Sequence, residues 1–206
     1  MEKINVEAWG RRTRFEFFSS VSDPFYSVTF KLDVTRLYDY VKREGLPFYY
    51  SLCYLVTQAI NSVEAFAYGM SGGEVVRFEK RSPSFTDLRR GSEEFYIVTM
   101  PCEGSMAQFC AAAREKSSKQ TEFIDPSGQR GDLIYISCLP WVELIALTNE
   151  RDFDPDDAIP RVAWGKFTEC GGRRSLGMSL ELNHRFVDGV HIGAFAQKLQ
   201  ALIEAL

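Results

Sequence analysis

The chain has only two histidines, His184 and His191, in 206 residues. The first lies in Asn183-His184-Arg185-Phe186-Val187-Asp188-Gly189, just ahead of an Asp-Gly pair. An imidazole titrates near neutrality, so a histidine held in place is a natural general base at physiological pH. Asp188-Gly189 can stop a strand, turn the chain and cap a helix, which presents a histidine at a strand end. Upstream, Leu176, Met178, Leu180 and Leu182 form the apolar set of a strand. Continued parity puts His184 on their face, with its ring toward protein. Such a ring is either a satisfied core residue or a sheltered base, and for a lone histidine the core is the commoner fate. Asp188 alone reads as the N-cap of a last helix.

Tyr26, Val28, Phe30, Leu32 and Val34 alternate with polar residues, which predicts a half-buried strand. A helix follows, capped by Asp33 or Thr35, with Leu37 and Val41 inward and Gly45 and Pro47 ending it. A second helix runs from Pro47 through Leu52, Leu55, Ala59 and Val63, apolar enough to be buried on more than one side. Strands are expected at 75–79, after a Gly72-Gly73 turn, and at 84–88 and 95–100, then a helix at 105–119 and a polar loop at 121–132. Strands at 133–138 and 144–148 flank Leu139-Pro140-Trp141, and 149–160 reads as an acidic loop. Residues 161–168 and 175–182 form an antiparallel hairpin, and a helix from Asp188 carries Ile192, Phe195, Leu199, Leu202 and Leu206. Mixed elements in irregular order predict one α/β (α+β) domain over 1–206, a two-layer sandwich of a mixed sheet and helices.

Composition narrows the function. A net charge of −4 argues against a nucleic-acid binder. The five cysteines Cys53, Cys102, Cys110, Cys138 and Cys170 form no Cys-x-x-Cys, and two histidines are too few for a zinc site, so no metal is expected. The N-terminus lacks an apolar signal-peptide core, and no uncharged apolar run approaches the ~18 residues that span a bilayer. A reduced, cytoplasmic protein is expected.

The 183–189 segment resembles the His-His-x-x-x-Asp-Gly signature of the chloramphenicol acetyltransferase family, within the coenzyme A-dependent acyltransferases. Asn183 replaces the first histidine. Trp9-Gly10-Arg11-Arg12-Thr13-Arg14-Phe15-Glu16-Phe17-Phe18 is similar to the family's Trp-x-Arg-x-x-x-Phe-x-Phe segment. Ser137-Cys138-Leu139-Pro140-Trp141 resembles its Ser-x-x-Pro-Trp, and Pro83-Ser84-Phe85-Thr86 has a counterpart too. The blocks stand in family order over nearly the whole chain.

The resemblance implies acetyl transfer from acetyl-CoA, a co-substrate, to a small-molecule hydroxyl, with no permanently bound cofactor and no acyl-enzyme. His184 would be the general base and Ser137 the oxyanion donor, with Asp188 paired to Arg11 to hold the loop. Trp141 and, more weakly, Phe167 and Lys166 would lie near the coenzyme, although Trp141 also reads as a core residue. Arg89-Arg90 and Arg173-Arg174 could meet its phosphates but read more simply as solvated turn charges, and His191 as a packing or hydrogen-bonding residue. The acceptor pocket would include Phe17, Phe18, Tyr26, Phe95, Ile97, Tyr135 and Leu147. Here the chain departs from the family: Phe18 replaces a tyrosine, Ile97 a small residue, Ala163 a threonine and Arg161 an apolar residue. A homotrimer with its site between subunits is implied, with His184 facing the neighbour's pocket and Ser137. Transfer to another alcohol or thiol, and a binding trimer without turnover, remain open at this point.

Overall fold

The computed structural model describes residues 1–89, 91–125, 130–152, 154 and 156–206. Its first half comprises strand β1 (Glu2–Lys3), helix α1 (Arg12–Ser19), β2 (Phe25–Asp33), α2 (Thr35–Glu44), α3 (Phe48–Asn61), β3 (Tyr68–Ser71), β4 (Glu74–Arg77), β5 (Ser82–Leu88) and β6 (Phe95–Thr99). Then come α4 (Met106–Lys119), β7 (Leu133–Leu139), β8 (Arg161–Gly165), β9 (Thr168–Cys170), β10 (Arg173–Asn183) and α5 (Gly189–Glu204). The apolar periodicities recover most of these. Asp33 accepts the Thr35 N–H at 2.9 Å, α2 ends in left-handed Gly45, and Ser105 caps α4 in a reciprocal capping box. Helix α1 was not foreseen, because its burial is slight and its apolar residues line no continuous stripe.

The main sheet runs β2-β10-β8-β7-β5-β6, with β9 beside β10, and β1-β4-β3 form a small second sheet. Parallel pairs β5–β7 and β7–β8 join antiparallel β8–β10 and β10–β2, so the sheet is mixed as expected. Register sorts its side chains between two faces. Tyr26, Val28, Phe30 and Leu32 stand opposite Leu182, Leu180, Met178 and Leu176, and Phe30 reaches Phe195 of α5 across 6.4 Å. This is the helix-covered face. On the other, Ser137 stands beside Ala163 and Ala163 beside Ser179.

The strand expected at 144–148 does not form. Buried Leu144 instead lies across the second face, over two glycines. A Cβ on Gly177 would fall 1.9 Å from the Leu144 carbonyl oxygen, and one on Gly165 would fall 2.5 Å from its nitrogen. Only glycine lets a backbone cross a sheet this closely.

Arg81 fastens the two sheets together. It is 2% exposed and donates to the carbonyls of Phe66, Gly131, Leu133, Tyr68 and Ala158, while Asn61 bonds its backbone on both sides. Burial lowers its pKa to about 10, so it stays charged at neutral pH.

Candidate active site

Strand β10 ends at Asn183, and the His184 N–H donates to the buried Pro24 carbonyl at 2.8 Å. The imidazole lies between two rings: Phe18 of α1 is stacked at 3.9 Å and 9°, and Tyr26 of β2 lies at 4.4 Å and 29°. Because Tyr26 shares the Leu182 side of the sheet, His184 belongs to the rim of the helix-covered face, as parity implied. It is not a core residue, since a third of the side chain is exposed. Its Nδ1 is buried, 3.1 Å from Asp188 Oδ1 but outside hydrogen-bonding geometry. Both ring faces are covered, so the exposed part is the edge that carries Nε2.

The loop after His184 is locked from the other end of the chain. Arg11 binds both Asp188 carboxylate oxygens, at 2.5 and 2.6 Å, and donates to the carbonyls of His184 and Arg185. This bidentate pair uses the planar fork that only arginine offers. The hydrogen bonds and charge of Arg11 outweigh burial and hold the Asp188 carboxyl below its ordinary value. Tyr26 donates to the Val187 carbonyl at 3.0 Å, and burial, then the Asp188 charge, pushes its phenol up to about 12. Asn183, at the missing first histidine, donates to the Asp157 carbonyl and accepts from Arg185.

His191 completes the cap of α5 by accepting the Asp188 N–H on Nδ1 at 2.9 Å. That nitrogen must be unprotonated to accept. Burial, then the Arg11 charge, lowers the His191 pKa below 6.5 against the opposing pull of Asp188. Arg14 and Glu64 line the same recess. A histidine with a depressed folded pKa adds stability above its unfolded value, and the contribution is lost as pH falls through the folded one. Thermal melts from pH 7.5 to 5 should therefore show the wild type losing more stability than His191→Gln, whose amide oxygen accepts without titrating. Parallel losses would remove this role.

Ser137 lies elsewhere. It opens on the second face of the sheet, in a cavity of about 650 Å³ also lined by Phe95, Ile97, Tyr135, Leu147 and Arg161. That volume is ordinary for a small-molecule site. The residues first grouped as one acceptor pocket thus form two sets in a single chain. Phe18 and Tyr26 lie at His184, with Phe17 next to Phe18 and largely exposed, and the other four lie at Ser137. Trp141 is 71% exposed, so its core reading fails: it sits on the turn that carries Leu144 across the sheet. Lys166 is exposed and ties its backbone to Val142 there, whereas Phe167 packs on Tyr38 and Phe48.

Sequence reasoning missed the buried charges beside this cavity. Glu181 sits among the leucines of β10, where Arg151 holds it at 2.6 and 2.9 Å and Asn149 donates from its backbone. Burial pushes that carboxyl up, but these donors outweigh it and bring it below its usual value. Glu181 falls on the polar parity of β10, where a charge is ordinary for a half-buried strand, so the sequence carried no signal of its burial. The candidate phosphate arginines are engaged within the chain: Arg89 stacks on Tyr96, and Arg174 meets Tyr38, Asp39 and Glu169. Arg173 is exposed beside Asp33, and Arg90 lies outside the described residues. Among the described residues no group of His, Cys, Asp and Glu is placed to hold a metal, and no helix is long and apolar enough to cross a membrane.

Comparison with known proteins points one way. A family model described as chloramphenicol acetyltransferase matches residues 1–200. Chloramphenicol acetyltransferase 3 of Escherichia coli is 27% identical over 204 residues, covering 97% of this chain and 95% of that protein. A solved chloramphenicol acetyltransferase shares the fold at a TM-score of 0.90 and 22% identity, over 98% of this chain and 99% of that one. A probable dihydrolipoamide acetyltransferase from Listeria monocytogenes superposes more loosely, at a TM-score of 0.66 and 17% identity over 100% and 95% of the two chains.

Proposed function

The chain belongs to the chloramphenicol acetyltransferase family and is an acyltransferase, and from that premise we propose that a single 1–206 domain transfers the acetyl group of acetyl-CoA directly to a hydroxyl of chloramphenicol or a similar small molecule. Antibiotic resistance would be the cellular consequence, in the cytoplasm. The observation that carries the mechanism is the His184 ring, clamped on both faces with its Nδ1 buried and its Nε2 edge open. Nε2 takes the acceptor hydroxyl proton as the oxygen attacks the thioester carbonyl. The resulting oxyanion receives a hydrogen bond from the Ser137 hydroxyl. Collapse then expels coenzyme A as a thiolate, which recovers the proton from the imidazolium. Thiol release from acetyl-CoA that requires chloramphenicol tests the proposal, and release indifferent to every alcohol would refute it.

His184 rims one face of the sheet and Ser137 opens on the other, which supports a site shared between copies of a homotrimer. Trp141 and Lys166 on the exposed turn, with Phe167 behind it, are the residues proposed to flank the coenzyme. Ser137→Ala should lower kcat by about 10²- to 10³-fold, the usual cost of one oxyanion donor. Random mixing of His184→Ala and Ser137→Ala chains should then restore full function to about one site in four, because closed symmetry pairs each histidine with a neighbour's serine. Mixed chains no more active than the parents would place both residues in one subunit.

A further inference from the structure

The Pro83-Ser84-Phe85-Thr86 block takes no part in the steps above, yet the sheet puts its two hydroxyls on the Ser137 face. Strands β5 and β7 run parallel, with Ser84 beside Tyr135 and Phe85 beside Ile136. The next step brings Thr86 beside Ser137, and both side chains line the cavity. The two hydroxyls of the block differ in their use. Ser84 is buried and shares a 2.8 Å hydrogen bond with Thr99 of β6. Thr86 is half-buried, and no described residue bonds its hydroxyl or that of Ser137. Its backbone is nonetheless fixed, since the Thr86 carbonyl accepts the Tyr49 hydroxyl at 2.6 Å.

We infer that Thr86 is a second oxyanion donor, a catalytic residue that acts beside Ser137 on the tetrahedral intermediate. This rests on the acyl-transfer reading above. Side chains in register on neighbouring strands stand about 4.8 Å apart. One oxygen between them can therefore accept from both hydroxyls at about 2.7 Å, the ordinary length of an O–H···O bond. The strand on the other side of Ser137 supplies no such donor, because Ala163 holds that place on β8 and ends in a methyl group. One strand farther, the Ser179 hydroxyl is spent on the Leu147 carbonyl at 3.5 Å. Ile97 faces Thr86 from β6 and gives the pair an apolar flank. Hydrogen bonds to a developing charge are strongest where such walls keep water away.

Thiol release from acetyl-CoA, with chloramphenicol or another alcohol that the wild type accepts, tests this. Thr86→Val keeps the shape and the strand preference and removes the hydroxyl. It should lower kcat by about 10²-fold, the low end for one oxyanion donor, while Thr86→Ser stays within about tenfold of wild type. KM for acetyl-CoA and for the alcohol should hardly move, because the oxyanion exists only after attack. The same valine in a Ser137→Ala chain should cost a further tenfold or so, since each hydroxyl reaches the oxygen itself. Should the valine chain not fold, Thr86→Ala gives the same comparison. A folded variant with kcat within about threefold of wild type overturns the inference, and so does a loss confined to KM, which would put Thr86 on the acceptor. No further loss in the Ser137→Ala chain overturns it too, because Thr86 would then act only through the serine. A wild type that releases no thiol with any alcohol would instead overturn the acyl-transfer reading and the inference with it.

Discussion

Replacing His184 by alanine is expected to lower kcat/KM for acetyl transfer by about four orders of magnitude, the upper range for a general base that acts with an oxyanion donor. Among the described residues no other group is placed to take over. Nε2 is on the exposed edge of a ring sandwiched by Phe18 and Tyr26, and the second histidine spends its Nδ1 on the Asp188 N–H. The loss should fall on kcat, with the KM for acetyl-CoA little changed, because the base acts in the transition state and not in binding the coenzyme. Stability should change little, since the side chain is a third exposed and the loop is held by Arg11 through backbone carbonyls and Asp188. Thiol release and a melting curve on the same sample check both halves. Activity within tenfold of wild type would end the proposed role.

Arg81→Leu should cause the largest loss of stability, about 3–5 kcal/mol, the range for breaking a buried charged network. For a chain of this size that is roughly a 10 °C fall in Tm. The cation itself is costly to bury, as its lowered pKa shows. Removing it is worse, because five carbonyls from both sheets, two loops and the 3-10 turn at Phe66 would lose their donor in the interior. Leucine replaces the volume and none of the N–H groups. Arg81→Lys should recover only part of the loss, since one ammonium cannot reach five oxygens fixed around a planar fork. A fall of under 1 kcal/mol in chemical denaturation would show that water replaces the guanidinium.

The fold was legible wherever one face of an element is buried and the other wet. Strand β2 and helix α2 follow from period and caps, and β10 from its leucines. The crossing segment at 144–148 was not, because alternation records that one side is buried and not which partner buries it. Leu144 packs against glycines that leave no trace in its own local pattern. Of the site, His184, Asp188 and Arg11 could be named from spacing and resemblance. The separation of His184 from Ser137 was implied by the resemblance, which put them in neighbouring subunits, and not by local spacing, since it depends on how β7, β8 and β10 register across the sheet. The five-carbonyl setting of Arg81 was equally hidden, because backbone acceptors carry no residue type to recognise.

The clamp on the histidine loop spans 177 positions, from Arg11 to Asp188. In a growing chain the carboxylate is made 177 residues after the arginine, so the strands and helices between them can form before the two meet. Closure of so long a loop comes late in any route that builds local contacts first. A nascent chain extended past Ser137 but short of His184 would hold the serine strand without the histidine proposed as the base. The same connection makes Arg11, at the N-cap of α1, as sensitive a position for substitution as the histidine loop itself.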